Sequence, residues 1–268
     1  MVHEVAEAGF GGAAALYDRS RPSYPPEAVA FFVDVLGVRP GARVCDLAAG
    51  TGIFTRLLTP YGVDLVACEP VEGMRAQLRS GLPDVVMVAG TAERLPFADR
   101  SLDAVTIMQA LHWFDGPAAT RELHRVVRPG GRVGFAWNAR DRSIDWVDRV
   151  WAIMDRVEKS APWRDHGEPA NGQQFGDPNG WTQGHAGTFS SGFSPVVYAS
   201  FRHAQQVTHA GVVDRVAGVS HVQTLAPGER ERVLDEVRTV LATHPDTAAR
   251  EELALPYRVD CYWTERLP

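Results

Sequence analysis

The chain has 268 residues, of which 45% are hydrophobic and 22% charged, and its formal net charge is −6. A chain of this length can bury a core that is large enough to fold without disulfides. Basic residues number 27 against 33 acidic ones and form no cluster, which argues against a nucleic acid as partner because its phosphates would be repelled. We therefore expect a small-molecule partner, bound by a monomer or a homodimer.

Neither export nor a membrane-spanning segment is expected. The sequence up to Gly12 carries acids and glycines in place of a basic start, and no stretch approaches 18 consecutive apolar residues. Cys45, Cys68 and Cys261 lack CxxC spacing and lie in apolar runs, which indicates reduced, buried thiols and a cytoplasmic protein. The nine histidines lack HxH and HxxxH spacing, so no metal site is predicted.

The first half of the chain alternates short β-branched runs with helical patterns, which is typical of βαβ units. It predicts an α/β fold with a doubly wound, mostly parallel sheet. The predicted strands are 43–47, 65–69, 85–89, 102–109, 132–137, 196–203 and 255–263. The predicted helices are 26–36, 54–58, 73–79, 118–127, 144–159, 210–216 and 229–241.

The segment VCDLAAGTG, which ends at Gly52, has small residues where a buried strand gives way to a helix. Small residues let a ligand approach the backbone, and the free N–H groups of the next helix offer donors. Ligands of open α/β sheets bind at the carboxyl ends of strands, where this turn lies. Tight packing of the helix on the strand, without a ligand, is the alternative interpretation.

Glu69 ends the second predicted strand, 23 residues after Asp46. That offset is close to the roughly 20 residues at which an acid meets a ribose hydroxyl in nucleotide-binding sheets. Together, the turn and the acid predict an adenosine-containing ligand. A dinucleotide site would need a third glycine for close helix packing, but Thr55 stands three residues after Gly52. This departure disfavours a nicotinamide cofactor.

Four segments in order, VCDLAAGTG, ACEP, GTAERLPFADRSLDAV and RVVRPGGRV, resemble the class I methyltransferases that use S-adenosyl-L-methionine. YDRSRPSYP and LPYRVDCYW look similar to a small-molecule subgroup that includes the trans-aconitate methyltransferases. The resemblance covers nearly the whole chain and is loosest over residues 139–195. Ala48 departs from the pattern, since the family more often has glycine there.

The resemblance implies a single methyltransferase domain over 1–268 with a Rossmann-like, seven-stranded sheet. It further implies a cofactor-covering segment at 1–40 and a helical or loop substrate cap inserted at 139–195. The cofactor would be S-adenosyl-L-methionine and the product S-adenosyl-L-homocysteine. The implied cofactor-binding residues are Tyr17, Arg21, Tyr24, Asp46, Ala48, Ala49, Gly50, Gly52, Glu69, Pro70, Met74, Thr91, Ala92, Glu93, Gln109 and Ala110.

The acceptor is expected beside the end of the fourth strand. The predicted pocket residues are His112, Trp113, Trp137, Trp163 and Trp181. His112 is the candidate base for a hydroxyl or amine acceptor, or the group that orients a carboxylate, while a purely structural histidine is the alternative. The predicted reaction is methyl transfer to a small molecule, with a carboxylate or hydroxyl oxygen favoured. A dinucleotide-dependent oxidoreductase and a non-catalytic S-adenosylmethionine-binding protein are the alternatives.

Overall fold

The computed structural model describes residues 14–159, 189 and 192–268, and these form a mixed sheet flanked by helices. The strands are β1 (Arg43–Leu47), β2 (Asp64–Cys68), β3 (Val86–Val88), β4 (Leu102–Met108), β5 (Val127–Arg140), β6 (Val197–Thr208) and β7 (Glu252–Glu265). The helices are α1 (Ala14–Ser20), α2 (Pro26–Val35), α3 (Thr55–Leu58), α4 (Glu72–Gly81), α5 (Gly116–Val126), α6 (Asp145–Lys159), α7 (His209–Ala217), α8 (Ser220–Gln223) and α9 (Pro227–Thr243). Short 3-10 helices span Thr59–Tyr61 and Leu111–Trp113.

The seven strands lie in the order β3-β2-β1-β4-β5-β7-β6. The first five pair in parallel, and β7 runs antiparallel to both β5 and β6. This arrangement confirms the predicted doubly wound, mostly parallel α/β sheet. After β1 the chain adds β2 and β3 on one side of that strand and then crosses over to add β4 and β5 on the other side. The crevice at the carboxyl ends of β1 and β4 is therefore the topological switch point, where ligands bind in such sheets.

The strands β5 and β6 are longer than predicted. A register shift opposite Leu102 and Ala104 admits Pro129 and Gly130 into the start of β5, and Gly130 takes a φ of 74° there. In β6, antiparallel pairing with β7 continues to Thr208 because ladder hydrogen bonds do not require an apolar side chain. Hydrophobic periodicity detects only the apolar part of such strands.

Two short helices, α1 and α8, escape the sequence pattern. At seven and four residues they are too short to be stable alone, so packing decides their existence. The helix α1 lies against α4 and α7, and Arg19 at its end forms an exposed ion pair with Asp214 of α7. Tertiary contacts of this kind leave no local signature in the sequence.

Apolar side chains cover both faces of the sheet and also form a separate helical layer. In that layer α6, α7 and α9 pack together with the first residues of β7. The predicted stripe on α9 belongs to this core, since Val233, Leu234, Val237 and Leu241 are all buried. The three cysteines are buried and unbridged. Over the part of the chain described here, no helix combines the length and apolar character needed to cross a bilayer.

Candidate functional site

A cavity of about 260 Å³ opens at the carboxyl ends of β1, β2, β4 and β5, the predicted switch point. It collects nearly all of the predicted site residues that the structure describes. The lining includes Tyr17, Arg21, Tyr24, Asp46, Ala48, Ala49, Gly50, Glu69, Pro70, Met74, Thr91, Ala92, Glu93, Gln109, Ala110, His112, Trp113 and Trp137. Gly52 does not line it, and Trp163 and Trp181 lie outside the described residues.

The turn after β1 bends through several left-handed residues. Ala48, Gly50 and Gly52 have φ values of 54°, 58° and 84°. A Cβ added to Gly50 would meet nothing within 4 Å, whereas a Cβ on Gly52 would lie 2.9 Å from Leu78 Cγ of α4. The two glycines therefore differ in their surroundings, and the packing interpretation applies to Gly52. Gly50 leaves space for a ligand, and Gly52 serves close packing of α4.

Asp46 is the penultimate residue of β1, and its buried carboxyl group lines the cavity. It accepts hydrogen bonds from Thr55 Oγ1 at 2.5 Å and from Thr106 Oγ1 at 2.7 Å. Burial raises its pKa to about 6, and the two threonine hydroxyls oppose that rise. Thr55, which occupies the position of the third dinucleotide glycine, thus ties α3 to the end of β1. Thr106 adds a link to β4.

Glu69 follows β2 and is 6% exposed. Its Oε2 accepts the backbone N–H of Gly50 and its Oε1 accepts that of Val71, each at 2.9 Å. Arg75 Nη1 holds the carbonyl oxygens of Glu69 and Pro70, both at 2.6 Å. Burial raises the pKa of Glu69, while the two backbone donors lower it. Each carboxylate oxygen keeps acceptor capacity for a ligand hydroxyl, since a carboxylate offers about four lone-pair sites.

A largely apolar slot continues from Glu69. Met74 and Ala92 are buried in its walls and Pro70 lies at its edge. Glu93 also faces the cavity, and its Oε1 accepts the backbone N–H of Asp115 at 3.0 Å. Apolar side chains beside a carboxylate that can still accept hydrogen bonds have the chemistry that an adenosine requires.

The helix α1 and the residues after it close one side of the cavity. Asp18 Oδ1 accepts a hydrogen bond from Thr51 Oγ1 at 2.8 Å, which ties α1 to the glycine turn. The Arg21 guanidinium lies 4.4 Å from the ring centre of Tyr17 and donates to the carbonyl oxygen of Gly218 at 3.3 Å. Tyr24 is buried against the edge of Phe54, with ring centres 5.2 Å apart.

The far end of the cavity is aromatic. His112 and Trp113 lie on the 3-10 helix after β4, with ring centres 4.8 Å apart, and Trp137 lies near the end of β5. Gln109 has a φ of 61° and donates its N–H to the Ala136 carbonyl at 2.9 Å. A non-glycine residue held in the left-handed region is uncommon and concentrates at functional sites. The bend turns the chain from β4 toward the cavity.

Several lining residues escape the sequence analysis, among them Asn138, Arg140, Trp151 and Arg215. Asn138 and Arg140 had a usable signal, because they follow Trp137 at the carboxyl end of a predicted strand. Arg215 had another, since it stands among the valines of an apolar helix face. Trp151 carries no such signal, because it belongs to the apolar face of an amphipathic helix, a pattern that predicts only burial in the core.

Comparison with known proteins bears on this site. A family model described as a methyltransferase domain matches residues 45–135, which run from β1 into β5. An uncharacterised methyltransferase of Mycobacterium tuberculosis is 38% identical over 252 residues, covering 94% of this chain and 93% of the relative.

Solved structures share the fold at low sequence identity. A proposed type II methyltransferase from Anaeromyxobacter dehalogenans has a TM-score of 0.61 at 21% identity, over 92% of this chain and 99% of that one. A Haemonchus contortus phosphoethanolamine N-methyltransferase, solved with phosphomonomethylethanolamine and S-adenosylhomocysteine, has a TM-score of 0.55 at 11% identity, over 96% of this chain and 58% of that one. From its near full-length likeness to the mycobacterial relative and the match of its first five strands, the chain belongs to the class I methyltransferases that use S-adenosylmethionine as cofactor.

Proposed function

We propose that this enzyme transfers a methyl group to a carboxylate or hydroxyl oxygen of a small molecule bound beside His112, Trp113 and Trp137. One observation carries the proposal: a single cavity joins the Glu69 and Gly50 end to this aromatic end. The cofactor and the acceptor would then share one continuous space. The methyl group of a cofactor held beside Glu69 and Gly50 would face an acceptor held at the aromatic end.

The residues that line the cavity fit S-adenosylmethionine. Glu69 would accept the ribose hydroxyls, and Met74 with Pro70 would flank the adenine. Gly50 would let the methionine part lie against the turn, where a Cβ would meet nothing within 4 Å. Arg21 would bind the carboxylate of the methionine part, because a guanidinium can donate two parallel hydrogen bonds to a carboxylate. Thr91, Ala92 and Glu93 also line the cavity and would contact the adenine edge.

The bound cofactor would supply an electrophilic methyl group on a sulfonium. The task of the chain is then to align the acceptor and exclude water, which is worth several powers of ten in effective concentration. The rings of Tyr17 and Trp113 line the cavity and offer faces that attract a cation. His112 would accept the proton of a hydroxyl acceptor, or would orient a carboxylate that has no proton to lose.

The finer divisions of the chain are part of the same proposal. Residues 1–40 would cover the cofactor, which the hydrogen bond from Thr51 to Asp18 supports. Residues 139–195 would contribute to a cap over the acceptor, and Arg140 and Trp151 in its described part do line the cavity. The proposed subgroup is that of the trans-aconitate methyltransferases, and the acceptor would be related to theirs. Residues 160–188 of the cap lie outside the described part of the chain.

The first experiment is calorimetric titration with S-adenosylhomocysteine, with NADH in parallel. Binding of the former alone is expected, and it should be followed by transfer of a labelled methyl group into a panel of carboxylic acids and phenols. Failure to bind S-adenosylhomocysteine, or labelling of no small acceptor, would contradict the proposal.

The variant His112→Ala separates the two ends of the cavity. Its affinity for S-adenosylhomocysteine should stay within about threefold of wild type, since His112 lies at the acceptor end. With a hydroxyl acceptor kcat should fall by about 10²–10⁴, whereas with a carboxylate the main effect should be on KM. Equal loss of cofactor binding in this variant and in Glu69→Ala would contradict the division of roles.

A further inference from the structure

Three arginines line the cavity without an acidic partner. Arg21 precedes α2, Arg140 ends β5 and Arg215 belongs to α7. Within the described part of the chain, none of them forms an ion pair with a carboxylate. Burial lowers the pKa of Arg21 and Arg140, and the charge of Arg215 lowers it further. Three of the four arginines in the lining are therefore cations that no described carboxylate pairs with, although Asp46, Glu69, Glu93 and Asp155 also line the cavity.

Arg215 is buried, whereas Arg21 and Arg140 are half-buried with their Nε atoms inside. Arg215 is 2% exposed, and its Nε and Nη1 have no hydrogen-bond acceptor among the described residues. The same holds for the Nε of Arg21 and of Arg140. Arg140 lies 4.7 Å from the ring centre of Trp151, a contact that orients the guanidinium plane but does not neutralise it. These guanidinium N–H groups are thus held inside the protein without a hydrogen-bond acceptor among the described residues.

Arg142 differs from these three arginines because it has acidic partners. It lines the same cavity but is neutralised by Asp148 and Asp155, at 2.7 Å each. Burial and the nearby charge lower the pKa of Arg140 to about 9 and that of Arg21 to about 10, so both remain cationic at neutral pH. Buried charges without partners are strongly destabilising. A ligand of opposite charge would relieve that cost.

The positions of the arginines indicate which ligand supplies the charge. Arg21 is the proposed partner of the cofactor carboxylate, and one carboxylate is fully matched by one guanidinium fork. Arg140 and Arg215 come from β5 and α7, and both lie beyond the residues 45–135 that match the family model. Arg140 follows Trp137 on the same strand, at the acceptor end. Two positive charges are therefore left over for the acceptor.

We propose that Arg140 and Arg215 bind an anionic group of the acceptor, a carboxylate or a phosphate, that is separate from the oxygen receiving the methyl group. This inference rests on the proposed function and restricts its substrate class. Acceptors would carry at least one negative charge beyond the reacting group. A neutral phenol of the same size would bind poorly, because it would leave both guanidinium groups unpaired.

The test uses protein saturated with S-adenosylhomocysteine and titrates it with succinate, citrate and inorganic phosphate. At least one of the three is expected to bind, and the comparison separates a carboxylate site from a phosphate site. In Arg140→Met and Arg215→Met the affinity for that anion should fall about tenfold or more, which corresponds to about 1.4 kcal/mol. The affinity for S-adenosylhomocysteine should change less than about threefold.

A control removes the same charge outside the cavity. Arg149→Met on α6 deletes a side chain that is 61% exposed, so its anion affinity should stay within about twofold of wild type. An equal loss in Arg149→Met would mean that general electrostatics explains the result and would overturn the inference. Binding of S-adenosylhomocysteine without binding of any anion would overturn the inference alone. No binding of S-adenosylhomocysteine would instead count against the proposed function.

Thermal unfolding distinguishes a binding role from a structural one. If the two arginines await a ligand, Arg215→Met should raise the Tm of the ligand-free protein, and the bound anion should raise the Tm of wild type but not of the variant. Arg215→Lys keeps the charge and should retain part of the anion affinity. A lower Tm for the ligand-free Arg215→Met protein would show that this arginine is structural and would contradict the proposal.

Discussion

The carboxylate of Glu69 accepts the backbone N–H of Gly50 at 2.9 Å, which joins the end of β2 to the turn after β1. In the sequence the acid and the glycine turn are two separate signals. In the folded chain they form one unit, since Glu69 holds the turn while the rest of its lone pairs face the cavity. A change in either residue should therefore affect the other.

Substitution of Glu69 tests this unit. Glu69→Ala removes the acceptor of the Gly50 N–H and the proposed acceptor of the ribose hydroxyls, and hydrogen bonds to charged groups contribute about 1.5–3 kcal/mol each. We expect affinity for S-adenosylhomocysteine to fall at least about tenfold in calorimetry. Asp64→Ala, at the other end of β2 and paired with Arg43, is the control and should bind normally. Equal affinity in the two variants would refute the role of Glu69.

The two glycines of the turn should separate binding from stability. In Gly50→Ala the new Cβ meets nothing within 4 Å, so stability should fall only by the cost of a left-handed alanine, about 1–2 kcal/mol, while cofactor affinity falls at least about tenfold. In Gly52→Ala the Cβ presses on Leu78 and Leu82, and overpacking adds about 1–3 kcal/mol. Urea unfolding and calorimetry on both variants measure the two effects. A larger stability loss in Gly50→Ala would contradict the assignment.

Ala48 is a strained residue that glycine should relieve. Its φ of 54° costs about 1–2 kcal/mol for a residue with a Cβ, more than the roughly 0.4–1 kcal/mol that glycine loses through unfolded-state entropy. Ala48→Gly should therefore raise the free energy of unfolding slightly and keep cofactor affinity. Ala49 does not have a positive φ, so Ala49→Gly should lower that free energy. The idea fails if both variants are destabilised alike in urea.

Much of the nucleotide end could be predicted because its residues act through local pattern. Glu69 directly follows an apolar strand, while Asp46 lies near the end of another and Gly50 in the turn after it. The topology of a parallel sheet brings such positions together. Their hydrogen bonds could not be predicted in this way. In the sequence, for example, Thr55 is notable only as a departure from the third glycine of a dinucleotide site. In the structure its hydroxyl donates a hydrogen bond to the carboxylate of Asp46.

The acceptor end depends on residues that are distant in sequence, and there the prediction was incomplete. Arg140 and Arg215 come from two separate elements, β5 and α7, and periodicity within each element says nothing about their meeting. Arg215 appears as an isolated charge on an apolar helix face until the fold places it in the lining of the same cavity as Arg140. Contacts that depend on packing of whole elements carry no local signal.

The tie between α1 and the glycine turn should govern the lifetime of the cofactor complex. Asp18 Oδ1 accepts from Thr51 Oγ1 at 2.8 Å and lies 3.5 Å from Arg56 Nη1. Asp18→Ala loses both interactions, so α1 should open more readily and the dissociation rate of S-adenosylhomocysteine should rise about threefold to tenfold. Stopped-flow measurement gives the rate. Arg19→Ala, which loses only an exposed ion pair, should leave that rate unchanged, and a similar increase in both variants would argue against the tie.

Asp46 should make stability depend on pH in a direction opposite to that of a salt-bridged acid. Burial raises its pKa from the ordinary 3.8 to about 6, so the folded state binds its proton more tightly than the unfolded state does. The resulting stabilisation is complete below about pH 4 and is lost as pH rises through 6, a difference of about 3 kcal/mol. Asp46→Asn keeps the shape and has no such titration.

The comparison of wild type with Asp46→Asn mainly reports this effect, because burial, the largest cause of the raised Glu69 pKa, is the same in both proteins. Only the smaller contribution of the Asp46 charge to the Glu69 pKa is lost in the variant. The free energy of unfolding should be measured in urea from pH 4 to pH 7. Between these limits the variant should gain stability relative to wild type, by up to about 3 kcal/mol. A constant difference across this range would show that Asp46 titrates normally in the folded protein. A difference that changes in the opposite direction would mean that its threonine hydrogen bonds stabilise the charge more than burial opposes it.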